Sequence, residues 1–511
     1  MQIQKLHITD DYMINDVFNS DFIPATIGGE SLYGYPMRTV ISESNNTNWD
    51  KAVLAMANVN IPYTYEKSLS LPYNVLHTDL KWSTNTEDKK RASKYIESIL
   101  LMLRTKVLLN NGDLSKTEIV WFYPASMTQN RFNKFKAEWE NTFATLFGAP
   151  ISNIIAASES VAPYYYHKAK KGATSTVVSV DIGGGTTDVL IVDKGEPKYL
   201  TSFRFAANTI FGDGYSYDSD SNGFVNKYKD IITNQLETNN LRGLKAVLKS
   251  VLDKRVSTDV IAFLFSLASN KEIKKEKVEI NFAKMLADDN RGKYVVILFY
   301  VAIVYHIAKL MKAKGFDMPR HMTFSGNGSK VLNILSTNDA TLVRLTKIIF
   351  EEIYAQSYSI DGLDIIRPAN SKESTCKGGI ILTPFQSQDY GEIKDMKTIL
   401  IGTDNEKFAD VHMTYNDVTE ADLDSVVDVI KEYIEFTFKL DKKFSFYDNF
   451  DVDRSIMNKV KDLCYRDIRT YLENGLAIKK SEIAQDGADD NLEETLFFYP
   501  LVGIINAVVR N

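Results

Sequence analysis

The stretch Val177-Val-Ser-Val-Asp181-Ile-Gly-Gly-Gly185-Thr-Thr-Asp188-Val-Leu-Ile-Val192 decides the fold of this chain. A β-branched strand ends at an aspartate, three glycines form a turn, and a second apolar strand follows Thr-Thr-Asp. Glycines allow positive φ angles and a close approach of the backbone to a ligand. The pattern therefore predicts a strand-turn-strand unit whose turn faces a bound group.

Phosphate is the group that this turn suits. Successive backbone N–H groups can converge on phosphate oxygens, and Thr186 and Thr187 add hydroxyl donors. Asp181 and Asp188 place negative charge beside the same position, which calls for a cation. Mg²⁺ fits because it binds few carboxylates together with water and phosphate oxygens. The alternative is a plain β-hairpin with a glycine-rich turn.

Composition narrows the class of protein. The chain has 511 residues, enough for two to four domains, with 44% hydrophobic and 25% charged residues. The net charge of −6 gives no broad attraction to nucleic acid. Two cysteines, Cys376 and Cys464, cannot form a disulfide framework, which favours a reducing compartment and a cytoplasmic location.

One segment, residues 294–311, is apolar enough to suggest a membrane helix. Its uninterrupted apolar stretch is shorter than the ~20 residues of a spanning helix, and His306 and Lys309 interrupt it. We expect a buried core helix and no membrane span.

Hydrophobic periodicity predicts alternating strands and helices, which indicates an α/β architecture. The predicted strands are 37–42, 118–123, 151–155, 199–205 and 322–324. The predicted helices are 91–107, 128–146, an inserted helical lobe at about 215–290, and 294–311. Towards the C-terminus we predict a hairpin (396–401 with 411–415), a helix after the Thr419–Asp422 capping box, and helices near 453–473 and 492–509. The acidic stretch 486–494 is interpreted as a solvated loop.

The sequence Asp181-Ile-Gly-Gly-Gly-Thr-Thr-Asp188 resembles the second phosphate loop of the actin and heat-shock-chaperone ATPase superfamily, which includes bacterial actin-like proteins and sugar kinases. The resemblance implies an α/β, ribonuclease-H-like core of two lobes with nucleotide between them. The expected divisions are a first lobe at 1–176, a second lobe at 177–384 and a C-terminal hairpin plus helical region at 385–511.

The resemblance also implies the roles of individual residues. Asp181 would bind the metal and its water, while Thr186 and the glycines Gly183, Gly184 and Gly185 would hold the γ-phosphate, with Thr187 and Asp188 beside them. Glu159, 22 residues before Asp181, falls on the glutamate that orients the attacking water. The predicted catalytic set is therefore Glu159, Asp181 and Thr186; an ordinary turn carboxylate is the alternative for Glu159.

Further landmarks occur in the expected order. Gly212-Asp213-Gly214 matches the entrance to the second lobe, although it could be a plain turn. Ser325-Gly326-Asn327-Gly328-Ser329 resembles the adenosine motif, and a helix from Ser329 would aim its positive end at the ligand. Residues 375–382 resemble the small-residue helix that closes the ATPase core.

One landmark of the superfamily is not found: the opening strand and Asp-x-Gly-Thr loop that grip the β-phosphate. We therefore expect the chain to be part of a longer polypeptide or to work with a protein partner that supplies this strand. By itself it should hydrolyse ATP very slowly or not at all. A divergent substitute within residues 1–36, with Gly28 and Gly29 near the phosphates, is the alternative.

The sequence thus predicts a heat-shock-chaperone-like or actin-like protein that binds ATP or ADP with Mg²⁺ and leans towards ATP hydrolysis. The rivals are a sugar or acid kinase, a nucleotide-gated filament or scaffold protein, and a degenerate lobe that binds partners only.

Overall fold

The computed structural model describes residues 25–27, 37–44, 54–68, 74–78, 80–81, 83, 85–171, 175–212, 218–359, 362–368, 371–381, 413–486, 492 and 494–510. The strands are β1 Ala25–Ile27, β2 Met37–Ser44, β3 Leu54–Asn60, β4 Asn74–His77, β5 Ile119–Tyr123, β6 Ile154–Ser158, β7 Val177–Ile182, β8 Thr187–Asp193, β9 Glu196–Phe203, β10 His321–Ser325 and β11 Asp364–Ile366.

Helices cover most of the remainder. In the first lobe and around the glycine loop they are α1 Ile61–Ser68, α2 Thr86–Leu109, α3 Gln129–Phe147, α4 Val161–Lys171 and α5 Ala207–Phe211. In the insert and second lobe they are α6 Gly223–Thr238, α7 Arg242–Asp253, α8 Ser257–Ser266, α9 Lys271–Lys275, α10 Phe282–Ala287, α11 Asn290–Ala313, α12 Asp339–Tyr354 and α13 Ser371–Ile381. The C-terminal ones are α14 Glu420–Phe444, α15 Phe446–Phe450, α16 Arg454–Tyr465, α17 Ile468–Asp486 and α18 Phe498–Arg510.

The sheet of the second lobe has the order β9-β8-β7-β10-β11. The strands β7, β8 and β9 form an antiparallel meander, and β10 and β11 join parallel to β7. An antiparallel meander extended by parallel strands beside its first member is the ribonuclease-H-like order, so the predicted fold class is confirmed in this lobe.

The first lobe is divided between two sheets in the described residues. One has the order β1-β3-β2-β4, and the other is the parallel pair of β5 and β6. Helix α3 begins after Thr128, whose side chain accepts a hydrogen bond from the N–H of Arg131, and ends at Gly148 with φ 62°. This N-cap and left-handed glycine fix the two ends of the helix.

The apolar segment at 294–311 lies within α11 and is a core helix, as expected. Among the described residues it alone is long and apolar enough to cross a membrane, but 94% of its apolar window is buried inside the protein. It packs against α12, α14 and α18, so the C-terminal helices share one hydrophobic core with the second lobe.

Several local predictions were wrong. Residues Ile151–Asn153 form a 3-10 turn, and the strand begins only at Ile154. The single helix expected near 453–473 is split into α16 and α17 because Asp467 has φ 58°, which an α-helix does not tolerate. Tyr415 begins a 3-10 helix instead of ending a hairpin strand; the remainder of that hairpin, including 396–401, lies outside the described residues.

Candidate functional site

The glycine loop joins β7 to β8 in strict register. Asp181 lies opposite Asp188 and Ile182 opposite Thr187. The N–H of Gly183 donates to the carbonyl of Thr186 at 2.9 Å, which closes the turn and leaves Gly184 at its exposed tip. The sequence prediction of strand, turn and strand is confirmed.

Two backbone hydrogen bonds join the glycine loop to the first turn of α5. The N–H of Ala207 donates to the carbonyl of Gly183 at 3.3 Å, and the N–H of Asn208 donates to the carbonyl of Gly184 at 2.7 Å. These bonds tie the backbone of the loop to α5. Asn208 is a site residue that the sequence reasoning missed, since no local motif marks it.

The two threonines have different surroundings. The hydroxyl of Thr187 donates to the carbonyl of Phe205 at 2.6 Å and thereby ties the loop to the end of β9. Thr186 is buried and carries the carbonyl that closes the turn. Thr187 therefore fixes the loop in this structure, whereas Thr186 is the threonine placed at the turn itself.

The role expected of the glycines needs a correction. None of Gly183, Gly184 and Gly185 has a positive φ. The steric demand lies in the adenosine motif, where a Cβ on Gly326 (φ 80°) would be 2.2 Å from the Ile182 carbonyl oxygen and one on Gly328 would be 2.1 Å from the Gly183 carbonyl oxygen. Glycine is required there because two loops meet, and only Gly326 uses its freedom at positive φ.

The glycine loop and the loop at Gly326 meet because of the strand order in the sheet of the second lobe. The strands β7 and β10 are parallel neighbours with Ser325 opposite Asp181, so their carboxyl ends bring both loops to one edge. The hydroxyl of Ser325 donates to the carbonyl of Val180 at 3.3 Å, and that of Ser329 donates to the carbonyl of Gly326 at 2.7 Å.

The segment after Gly326 is a 3-10 helix, Asn327–Ile334. The expected helix starting at Ser329 was therefore wrong in type and in starting point. The hydroxyl of Ser329 already bonds the Gly326 carbonyl inside this segment, while Asn327 and Gly328 line the neighbouring cavity.

Three carboxylates converge behind the loop. Asp188 is fully buried and accepts a hydrogen bond from the N–H of Ala125 at 3.1 Å. Burial, and then the charges of Glu159 and Asp181, raise the pKa of Asp188 to about 8. The described residues contain no cluster of three or more acidic, histidine or cysteine ligands close enough to hold a metal alone.

Two carboxylates in register fit Mg²⁺ when phosphate oxygens and water complete its shell. Asp181 and Asp188 are the residues that would hold it.

Glu159 lies just beyond the end of β6, and its N–H donates to the Tyr123 carbonyl at 3.0 Å. The Nζ of Lys81 lies 2.5 Å from its Oε1, with both side chains about one-third exposed. Lys81 follows β4, far from Glu159 in sequence, and no pattern marked it. The pair places a cation and a carboxylate on the first-lobe side of the glycine loop.

Helix α13 contacts the site through Thr375. The hydroxyl of Thr375 donates to Oδ2 of Asp181 at 3.4 Å. Added Cβ atoms on Gly378 and Gly379 would be 1.8 Å from the Ala162 carbonyl oxygen and 2.6 Å from the Phe122 ring, which explains the small residues.

A cavity of about 490 Å³ opens beside the loop. Gly184, Asn208 and Gly212 are among its lining residues, and apolar side chains form much of the rest of its wall. The wall residues come from α8, α10 and the 3-10 helix and are Ile261, Ala262, Phe265, Ala283, Ala287, Val331 and Ile334. Gly212 thus lines the cavity, whereas Asp213 and Gly214 lie outside the described residues.

An ion pair crosses the mouth of this cavity. Nη1 of Arg38 on β2 lies 2.5 Å from Oδ1 of Asp259 on α8, and Nη2 donates to the Thr258 carbonyl at 3.0 Å. The hydroxyl of Tyr65 on α1 donates to the other oxygen of Asp259 at 2.6 Å. The first lobe is thereby fastened to the helical insert over the cavity.

The chain is similar to the ethanolamine utilization protein EutJ from Carboxydothermus hydrogenoformans, at 11% identity, 73% coverage of this chain, 99% of that chain and a TM-score of 0.28. It is also similar to MreB5 of Spiroplasma citri bound to ADP (14% identity, 70% and 92% coverage, TM-score 0.32) and to AMPPNP (14%, 71% and 92%, TM-score 0.31).

No protein-family model and no curated protein matches the chain. The fold class follows from the strand order β9-β8-β7-β10-β11, which is the ribonuclease-H-like order.

Proposed function

We propose that this chain binds Mg²⁺ and an adenine nucleotide between its lobes and uses the bound nucleotide as a conformational switch. The observation that carries the proposal is the cavity of about 490 Å³ that is lined both by Gly184 of the glycine loop and by apolar side chains. A glycine turn suits the phosphates of a nucleotide, and apolar lining suits its base.

Different parts of the cavity lining would bind different parts of the nucleotide. The exposed turn around Gly184 offers backbone N–H groups to phosphate oxygens, and the apolar wall takes the base. The solved MreB5 structures contain ADP and AMPPNP, which supports the choice of an adenine nucleotide. When bound, Mg²⁺ would neutralise phosphate charge between Asp181 and Asp188.

We also propose that the chain hydrolyses the bound nucleotide slowly. Glu159 lies on the first-lobe side of the glycine loop, where a carboxylate can accept a proton from water, and Lys81 holds it by an ion pair. Phosphoryl transfer requires little beyond such positioning and charge stabilisation. Arg38 and Asp259 would then govern how readily the cleft opens.

The test is thermal stabilisation by ATP with Mg²⁺. A ligand at 100 times its Kd stabilises the native state by about 2.7 kcal/mol. The variant Gly184→Val should fold, because a Cβ there meets only the Asn208 side chain at 3.4 Å, yet its branched side chain occupies the phosphate position. We expect the ATP-dependent rise in Tm to vanish.

Gly243→Val is the control, because a Cβ there meets nothing within 4 Å and the site lies elsewhere. It should keep the full ATP-dependent rise. An equal rise in the Gly184→Val protein would show that the glycine loop does not hold the phosphates.

A further inference from the structure

Asn333 is a polar residue among apolar side chains of the cavity of about 490 Å³. It belongs to the 3-10 helix Asn327–Ile334 and lines the cavity together with Val331 and Ile334 of the same helix. These two apolar side chains are part of the lining proposed to take the base. A polar side chain within an apolar lining is the kind of group that fixes the orientation of a ligand and gives specificity.

A hydrogen bond decides which way the amide of Asn333 faces. Nη1 of Arg367 donates to Oδ1 of Asn333 at 2.9 Å. A guanidinium carries donors only, so the amide atom that meets it has to be the oxygen. The positions of the amide oxygen and nitrogen of Asn333 therefore follow from the chemistry of its partner, although the two atoms have nearly the same shape.

Arg367 is itself held firmly. It follows β11 directly, and its side chain is 14% exposed. Its Nε donates to Oδ1 of Asp339 at the start of α12 at 2.5 Å, and both Nη1 and Nη2 donate to the Ser336 carbonyl at 3.4 Å. A planar guanidinium with this many acceptors has little freedom to turn. The bond to Asn333 therefore holds the amide in one orientation.

The other side of the amide is a hydrogen-bond donor. Among the described residues, Asn333 lines the cavity and Arg367 does not. The oxygen of Asn333 is engaged on the side of Arg367, so the side chain presents its NH2 group to the cavity. Asn333 is exposed in this structure, and a ligand in the cavity would displace water from this group. A ligand that offers no acceptor there would leave the donor unpaired, which is unfavourable.

We propose that Asn333 determines the base specificity of the site by donating its NH2 group to an unprotonated ring nitrogen, N1 of adenine. This inference rests on the proposed nucleotide site. Guanine carries an N–H at the same ring position, so in the same pose it would bring two donors together and leave both unpaired. A site that hydrogen-bonds its ligand rejects an analogue without the matching group more strongly than an apolar wall does.

The ring position follows from what one donor can distinguish. N3 and N7 are acceptors in both adenine and guanine, so a donor at either position would bind both bases. At position 6, a donor would favour the carbonyl of guanine over the amino group of adenine. N1 is the position at which the NH2 group of Asn333 favours adenine.

The first test replaces the donor by an acceptor. In Asn333→Asp, a carboxylate oxygen still accepts from Arg367, and the other oxygen takes the place of the NH2 group. Displacement of a fluorescent ATP analogue measures the Kd for ATP and for GTP. We expect the Kd for ATP to rise about fivefold or more, and the ratio of the GTP Kd to the ATP Kd to fall about 10-fold, because a carboxylate accepts the N1–H of guanine.

Asn338→Asp is the matched control, since it makes the same substitution five residues further along the chain. Asn338 is the N-cap of α12, where its side chain accepts the N–H of Ala340 at 3.0 Å. Aspartate caps a helix as well as asparagine does, and Asn338 is not among the residues that line the cavity. Both dissociation constants should stay at the parent's values.

The second test removes each side of the contact in turn. The analogue 1-deaza-ATP has a C–H in place of N1, and the parent should bind it about fivefold more weakly than ATP. Asn333→Ala should bind ATP and 1-deaza-ATP equally well. A general disturbance of the cavity would weaken both nucleotides by the same factor, so the difference between them reports the contact itself.

Three outcomes would overturn the proposal: an unchanged ratio of the two dissociation constants in Asn333→Asp, equal binding of ATP and 1-deaza-ATP by the parent, or a parent that prefers GTP. If the Tm of the parent rises with ATP and that of Gly184→Val does not, such a result refutes the role of Asn333 and leaves the nucleotide site in place. If no nucleotide raises the Tm of the parent, the proposed function fails and this inference fails with it.

Discussion

Replacing Gly326 by alanine should disrupt the junction between the glycine loop and the adenosine motif. Gly326 has φ 80° and ψ 152°, a combination that is essentially restricted to glycine and costs roughly 1–3 kcal/mol for another residue. Its Cβ would also lie 2.2 Å from the Ile182 carbonyl oxygen and 2.3 Å from Oδ1 of Asp181.

Neither neighbour can withdraw cheaply. Ile182 is the last residue of a fully buried strand, and Asp181 is held by Thr375. Overpacking of this kind costs roughly 1–3 kcal/mol. The two contributions sum to roughly 2–6 kcal/mol, against a total stability of about 5–15 kcal/mol for typical proteins.

Urea denaturation followed by circular dichroism measures the free energy of unfolding. Gly243→Ala is the control, since Gly243 is exposed in the first turn of α7 with open space around it, and alanine there should leave the stability unchanged or raise it by less than about 1 kcal/mol. A Gly326→Ala protein within about 0.5 kcal/mol of the parent, the range of ordinary surface substitutions, would refute the contact argument.

Three further predictions follow from the site and the core. Glu159→Ala should lower ATP turnover about 10²–10⁴-fold with little change in nucleotide Kd; unchanged turnover would make Glu159 a turn residue. Asp259→Asn removes the ion pair with Arg38 across the cavity mouth, and should speed release of a fluorescent ATP analogue by about fivefold, the equivalent of about 1 kcal/mol. His306 is buried against Phe498, and burial lowers its pKa to about 3. Because the unfolded chain then binds the extra proton, stability should fall by up to about 1.4 kcal/mol per pH unit as pH drops from about 6.5 towards 3. His306→Phe should flatten this dependence between pH 7 and 5 in urea titrations.

Local features of the site could be predicted from the sequence because they depend on residues that are adjacent in the chain. The strand-turn-strand unit around Gly184 and the capping box of Thr419 and Asp422 are of this kind. The motif around Gly326 was recognised by resemblance alone, and its place beside the glycine loop follows from the parallel pairing of β7 and β10, which brings their carboxyl ends to one edge.

Features that depend on distant contacts could not be predicted. Lys81 meets Glu159 across 78 residues, and Arg38 meets Asp259 across 221. Glu494 was assigned to a solvated loop from its acidic neighbours, yet it is 1% exposed and lies 3.5 Å from Nζ of Lys479. The acidic composition of the segment predicted exposure, but Glu494 is buried because it pairs with Lys479, a residue that its sequence neighbours do not reveal.

That buried carboxylate connects the C-terminal helices to the site. Oε2 of Glu494 accepts the N–H of Arg204 at 2.9 Å, and the guanidinium of Arg204 lies 2.6 Å from Glu482 on α17. Removing one partner from such a network leaves a charge unpaired in a poorly hydrated place, which is strongly unfavourable. The end of β9 and helix α17 are therefore fastened together.

The aromatic residues on either side of Arg204 extend the connection to the glycine loop. Phe203 and Phe205 both stack on Phe498 of α18, with ring centroids 4.0 and 4.7 Å apart. The carbonyl of Phe205 accepts the Thr187 hydroxyl, and α5, which follows, holds the carbonyls of the loop. A displacement of the loop on binding phosphate would have to move α5 or strain these bonds, and α5 packs on α18. Since packed cores transmit strain rather than absorb it, α18 is the element through which we expect the occupied site to act on a partner.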